Sequence, residues 1–198
     1  MLKHRIYLLK CVVLQLGVAC AVWGTGATGV AHATPESTSS AAVQQLVQQP
    51  RLAGHGQMRF LGLRIYDARL WVGPEFDAQT FGQHRFALEL IYHRAFTAKA
   101  IAQRSVQEIE RQRSLDEKMA NRWTSDLARW LPDVEPGDKL TGLYLPGQGM
   151  QLWRGEQSLG TINDPELALC FFGIWLSPQT SEPGLRSGLL AGLARAVP

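Results

Sequence analysis

Arg59, Arg64 and Tyr66 carry the strongest hint of chemistry in this chain, because they interrupt an otherwise apolar, β-prone stretch, Met58–Trp71. Its even positions read Met58, Phe60, Gly62, Arg64, Tyr66, Ala68 and Leu70: one strand face that is greasy except for a guanidinium and a phenol. Such a face suits an amphipathic carboxylate, whose tail lies on apolar side chains while the guanidinium fork clamps the head group. The plainer expectation is that these arginines sit in water or pair with Asp67 or Glu89. Arg59 has the opposite parity to Tyr66, so the two share a face only if Gly62 marks a bulge.

Other chemistries have less behind them. A literal G-x-G-x-x-G at Gly24, Gly26 and Gly29 has no βαβ unit around it and reads as a chance match. His55, His84 and His93 have no paired spacing and no neighbouring cysteine, so neither a metal centre nor another cofactor is expected. No G-x-S-x-G elbow occurs; Ser177 and Ser181 read as helix-boundary residues, Ser181 as an N-cap. Cys170 lies among Leu167, Leu169, Phe171 and Phe172, a setting for a buried structural thiol rather than a nucleophile.

The elements that must position these residues are legible from period and punctuation. Gln57–Val72 reads as a long extended segment bent or bulged at Gly62 and ended by Gly73-Pro74. Arg85–Arg94 alternates, with Phe86, Leu88, Leu90 and Tyr92 on one face and Arg85, Glu89 and His93 on the other, as in a half-buried strand. Thr97 caps a helix whose inner face carries Ile101, Ser105 and Ile109. Ser114-x-x-Glu117 forms a capping box for a second, with Met119, Trp123, Leu127 and Trp130 inward and Pro132 as its stop. A β-meander follows at Lys139–Leu145, Met150–Trp153 and Ser158–Ile162; Asp164-Pro165 then opens an apolar helix through Leu176, and a further helix follows a polar elbow. Strand groups each followed by paired helices give an α+β domain with a mostly antiparallel sheet.

The N-terminus reads as an export leader over residues 1–33. Lys3, Arg5 and Lys10 precede an apolar run, Cys11–Trp23, and Ala31-His32-Ala33 is a small-residue cleavage site. The run is shorter than the ~20 residues a spanning helix needs. A Ser/Gln-rich, flexible or weakly helical lead-in over 34–51 connects it to one domain, 52–198. The chain has 20 Lys+Arg and 17 Asp+Glu; the leader holds three of the basic residues and no acidic one, so the remainder is neutral. That balance argues against a nucleic-acid binder and against a polybasic membrane patch. No integral membrane segment is expected after leader removal, and no protein partner is indicated. Periplasmic or secreted localisation follows from the leader.

Three stretches carry a family resemblance: Ile65–Trp71 (IYDARLW), Pro132–Gly142 (PDVEPGDKLTG) and Phe171–Arg186 (FFGIWLSPQTSEPGLR). With them the chain resembles the exported bacterial branch of the chalcone isomerase-like family over roughly Leu52–Leu193. The resemblance implies an open-faced β-sandwich, a large antiparallel sheet backed by helices, with a cleft between the layers. In the plant isomerases, an arginine and a threonine from early strands and a helix tyrosine and asparagine position a chalcone for ring closure. In the fatty-acid-binding members, an arginine and a tyrosine on those strands hold a carboxylate. The threonine/tyrosine position falls at Tyr66 and the arginine near Met58–Arg59. The helix tyrosine and asparagine fall around Ile101 and Glu108, where neither is matched.

A missing helix tyrosine removes a donor that enolate stabilisation needs. The leading expectation is therefore non-catalytic binding of a fatty acid or similar amphipathic carboxylate at Arg59 and Tyr66, with Arg64, Tyr92 and Thr180 nearby; the expected partner is a small amphipathic molecule, fatty acid or flavonoid-like. The alternatives are an intramolecular lyase or isomerase acting on a phenolic or unsaturated substrate, with Tyr92, Thr180 or Tyr144 as the second donor, and a periplasmic structural or assembly partner with a vestigial cleft.

Overall fold

Alternating apolar side chains along six segments build one antiparallel sheet whose strands lie in chain order. The strands are β1 (Arg51–Phe60), β2 (Leu63–Val72), β3 (Phe86–Tyr92), β4 (Lys139–Leu145), β5 (Gly149–Arg154) and β6 (Gln157–Ile162). A computed structural model describes Ser40, Val43, Gln44 and residues 47–193. The chain divides into two compact units, Met1–Glu36 and Ser37–Pro198, and every described residue belongs to the second. The leader read at residues 1–33 and its site at Ala33 lie outside the described residues.

Among the described residues, four helices with defined bounds accompany the sheet: α1 (Ala98–Glu110), α2 (Glu117–Trp130), α3 (Pro165–Leu176) and α4 (Pro183–Leu190). Thr97 caps α1 by accepting from the Ala100 N–H, and Asp164 caps α3 by accepting from the Leu167 N–H at 2.9 Å, with Pro165 in the first turn. The cap of α2 is Asp116, accepting from Met119 N–H at 2.7 Å, rather than Ser114 of the expected box. Likewise Glu182, not Ser181, occupies the N-cap position of α4. The Asp116 carboxylate satisfies an orphan amide of α2 and faces its positive end, whereas the Glu182 side chain makes no capping bond.

The helices cover one sheet face. Ala68, Leu70, Val72, Phe86, Leu88 and Leu90 from the strands pack against Trp123, Leu127, Leu167 and Phe172 from the helices. The other face has a small core of its own, in which Val43 and Val47 from the lead-in cover Trp71, Ala87, Leu143 and Leu145. β3 is consequently buried along almost its whole length rather than half-buried, and Glu89, expected to face solvent, is fully enclosed. Its carboxylate accepts from Trp71 Nε1 at 2.7 Å, and the Lys139 ammonium stands 3.8 Å away.

Gly62 does not bend one long strand. Leu61 and Gly62 take left-handed φ values of 50° and 79° and make the two-residue turn of a β1–β2 hairpin, with Phe60 opposite Leu63. The irregularity lies further on. Met58 pairs with Tyr66 while Arg59 pairs with Arg64, so Ile65 is the extra residue of a bulge in β2.

Candidate functional site

That bulge decides which side chains can meet. Tyr66 keeps the helix-facing phase of Ala68 and Leu70, opposite Met58. Arg64, on the far side of the extra residue, turns to the other face. There its Nη2 lies 3.4 Å from Asp67 Oδ2 and 3.3 Å from His93 Nε2. Asp67 is the hub of that outer cluster, bonded by Gln57 at 2.7 Å and by His93 at 2.8 Å. Burial would raise the Asp67 pKa, but the Gln57 and His93 bonds and the nearby Arg64 outweigh it and hold the carboxyl below its ordinary range. Arg59 is exposed at the turn, where its Nη1 reaches the Gly62 carbonyl at 3.5 Å. Neither arginine therefore meets the Tyr66 phenol.

Tyr66 finds other company. Trp175 Nε1, from α3, donates to its hydroxyl at 3.0 Å, and the Tyr92 ring packs edge-on at 5.8 Å. Burial pushes the Tyr66 phenol well above its ordinary pKa; the Trp175 bond opposes this, Glu182 and Glu108 add to it, and Arg104 subtracts. Tyr92 is raised in the same way, first by burial and then by Tyr66. Both rings are neutral phenols across the physiological range.

The charged rim of this site comes from α1 and the α3–α4 elbow. Glu108 is buried, accepts from Ser181 Oγ at 2.6 Å, and pairs with Arg104 at 2.5 Å and Arg111 at 3.7 Å. Oε1 takes both guanidinium contacts, while Oε2 accepts the Ser181 hydroxyl. Thr180, by contrast, is spent locally: its hydroxyl donates to the Ile174 carbonyl at 2.5 Å and accepts from the Glu182 N–H at 3.2 Å. Tyr144 lies elsewhere, donating to the Gly82 carbonyl at 3.0 Å. Cys170 is half-buried, and its sulfur accepts from Arg113 at 3.4 Å.

The sequence gives no sign of Arg104 or Trp175 as site residues, and it marks Glu108 only as the position where the family's helix asparagine is unmatched. The one available signal was the i,i+4 spacing of Arg104 and Glu108, which ordinarily marks a solvated helix face. Rings fill the layer behind the rim in a continuous chain: Phe96, Tyr92, Tyr66, Trp175, Phe171, Phe172 and Phe86 each touch the next. Two cavities lie outside this chain. One, about 350 Å³, is lined by His55, Gln57, Asp67 and Arg69; the other, about 280 Å³, lies against Ile109, Gln112, Leu169 and Cys170. Among the described residues no cluster of metal-ligating side chains occurs, and no helix is long and apolar enough to cross a membrane.

The chalcone isomerase-like family model matches residues 36–191. The chain belongs to the chalcone isomerase-like family. Among solved structures it is similar to a fatty-acid binding protein of Arabidopsis thaliana, with a TM-score of 0.56 at 13% identity, covering 74% of this chain and 89% of that one. At that identity the likeness speaks for the fold alone. No curated protein matches the sequence. The α+β architecture expected of a chalcone isomerase-like chain, an open antiparallel sheet backed by helices, is the one observed.

Proposed function

We propose that this chalcone isomerase-like protein is a non-catalytic binder of a fatty acid or similar amphipathic carboxylate, with the head group at Tyr66 and Arg104. The observation that supports the reading is the buried, neutral Tyr66 phenol at the rim of an aromatic layer, within electrostatic range of the Arg104–Glu108 pair. The cation is thus supplied by α1 rather than by Arg59. A ligand carboxylate would compete with Glu108 for Arg104, while the phenol, whose oxygen accepts from Trp175 and whose proton that bond leaves unused, would donate to the same head group. The ligand class proposed is the one named for the fatty-acid binding protein that shares this fold. Export is part of the proposal: Ala33 is the cleavage site, which N-terminal sequencing of the protein recovered from cells would check.

Native mass spectrometry of the purified protein and titration with C12–C18 fatty acids test the site. Arg104→Ala is expected to weaken binding tenfold or more, Tyr66→Phe by roughly fivefold, and Arg59→Ala by less than twofold, since a charge-assisted bond contributes about 1.5–3 kcal/mol and a neutral one about 1 kcal/mol. Protein free of lipid and without saturable micromolar binding would overturn it. The aromatic chain that fills the layer would then favour the second reading, a structural or assembly partner whose cleft is packed shut.

A further inference from the structure

The hairpin tip places three large apolar side chains in water, side by side. Phe60 is 53% exposed, Leu61 86% and Leu63 47%; Leu169 is the other large hydrophobe with comparable exposure among the described residues. Leu61 also holds the left-handed φ of 50° that a two-residue turn ordinarily gives to Asn, Asp or Gly. The sequence thus carries a bulky apolar side chain at a position where both solvation and backbone preference argue for a small polar one. Folding of this domain gains nothing visible from that choice, because Leu61 touches neither core.

Basic residues flank the tip. Arg59 adjoins Phe60 and, among the described residues, has no carboxylate partner, its guanidinium reaching only the turn carbonyl of Gly62. Arg64 adjoins Leu63 and is half-exposed, its contact to Asp67 long at 3.4 Å. Asp67 itself is occupied by Gln57 and His93. We propose that the Phe60–Leu63 tip docks on an anionic phospholipid bilayer, with Phe60, Leu61 and Leu63 entering the headgroup–acyl boundary and Arg59 and Arg64 meeting lipid phosphates. Long cationic side chains beside a shallow apolar wedge suit that interface, where their stems lie on apolar surface and their heads reach phosphate. A two-residue turn offers far less than the ~800 Å² per partner of a stable protein complex, whereas a membrane accepts a small wedge. The inference is independent of what the Tyr66 site binds.

The test is co-sedimentation of the purified full chain with vesicles of phosphatidylcholine containing 30% phosphatidylglycerol, against pure phosphatidylcholine. Every variant carries the same N-terminal residues, so their contribution is common and differences report on the tip. Leu61→Asn is expected to lower the partition coefficient roughly tenfold, the worth of withdrawing one leucine from the interface. Arg59→Gln should lower it about fivefold on anionic vesicles and leave the neutral ones unchanged. Because Asn takes a left-handed φ more readily than Leu, Leu61→Asn should keep or raise the melting temperature, which separates docking from folding. Parent and Leu61→Asn sedimenting alike would overturn the proposal. So would equal binding to both vesicle types, or a concentration-dependent dimer that Leu61→Asn abolishes.

Discussion

A phenol walled by rings resists ionisation, and in this protein that resistance is coupled to stability. Tyr66, Tyr92 and Tyr144 are all raised above the ordinary value of 10.0 by burial. Below pH 10 each is neutral whether the chain is folded or not, so its contribution is fully present. Above pH 10 the unfolded chain ionises first, the native state holds more protons, and stability falls as pH rises. The slope approaches about 1.4 kcal/mol per pH unit for each fully buried phenol. Urea unfolding at pH 9, 10 and 11 should show the decline, and Tyr92→Phe should remove one phenol's share of it. An identical slope in the parent and in Tyr92→Phe would contradict the burial argument. The same residue scale shows where sequence reading reached and stopped. Tyr66 was legible as an unusual polar residue on an apolar face. Its partners were not, since a single extra residue at Ile65 moves Arg64 to the opposite face and no propensity marks that residue. Trp175 lies 109 positions away and is unremarkable within an apolar helix.

Elements were more legible than contacts. Residues 139–145 form a strand between the limits that alternation indicates, and Asp164-Pro165 starts α3 as the capping chemistry requires. The hairpin turn carries no sequence signal because its first position is Leu61 and not an Asn or Asp. The seam between α4 and β1 was equally silent, because a glycine's lack of a side chain gives no pattern. There a Cβ on Gly54 would stand 2.2 Å from the Gly188 carbonyl oxygen, and one on Gly188 would stand 2.7 Å from that of His55. Gly192 continues the seam, its N–H donating to the Ala53 carbonyl at 2.6 Å. Backbone this close leaves no room for a methyl group, so Gly188→Ala should cost roughly 1–3 kcal/mol as α4 lifts away. Gly184, on the same helix, has open space around it, and Gly184→Ala should be neutral or stabilise by up to about 1 kcal/mol. Thermal denaturation of the pair separates the two effects. Equal melting temperatures would mean that α4 is not seated on β1 through its glycines.

At the scale of the whole molecule, the sheet is a wall with a core on each side, and the two cores differ in how they are built. The helix-side core draws on all four helices, and its periodicities can be read directly from the sequence. The opposite core depends on Val43 and Val47, 1% and 2% exposed, which lie in a Ser/Gln-rich stretch whose composition suggests a linker. Two valines cannot establish a period, yet they cover Trp71, Ala87, Leu143 and Leu145, side chains that would otherwise form an apolar patch. The unit boundary after Glu36 sets the comparison that tests this. Removing residues through 36 should leave the melting temperature unchanged. Removing residues through 50 takes both valines away; burying each is worth about 1.5 kcal/mol at the low end, so the loss is about 3 kcal/mol, or roughly 10 °C in a domain of this size. The longer deletion should also bind a hydrophobic dye that the shorter one excludes. If both behave alike, Val43 and Val47 do not hold the second core, and the outer sheet face must be stable bare.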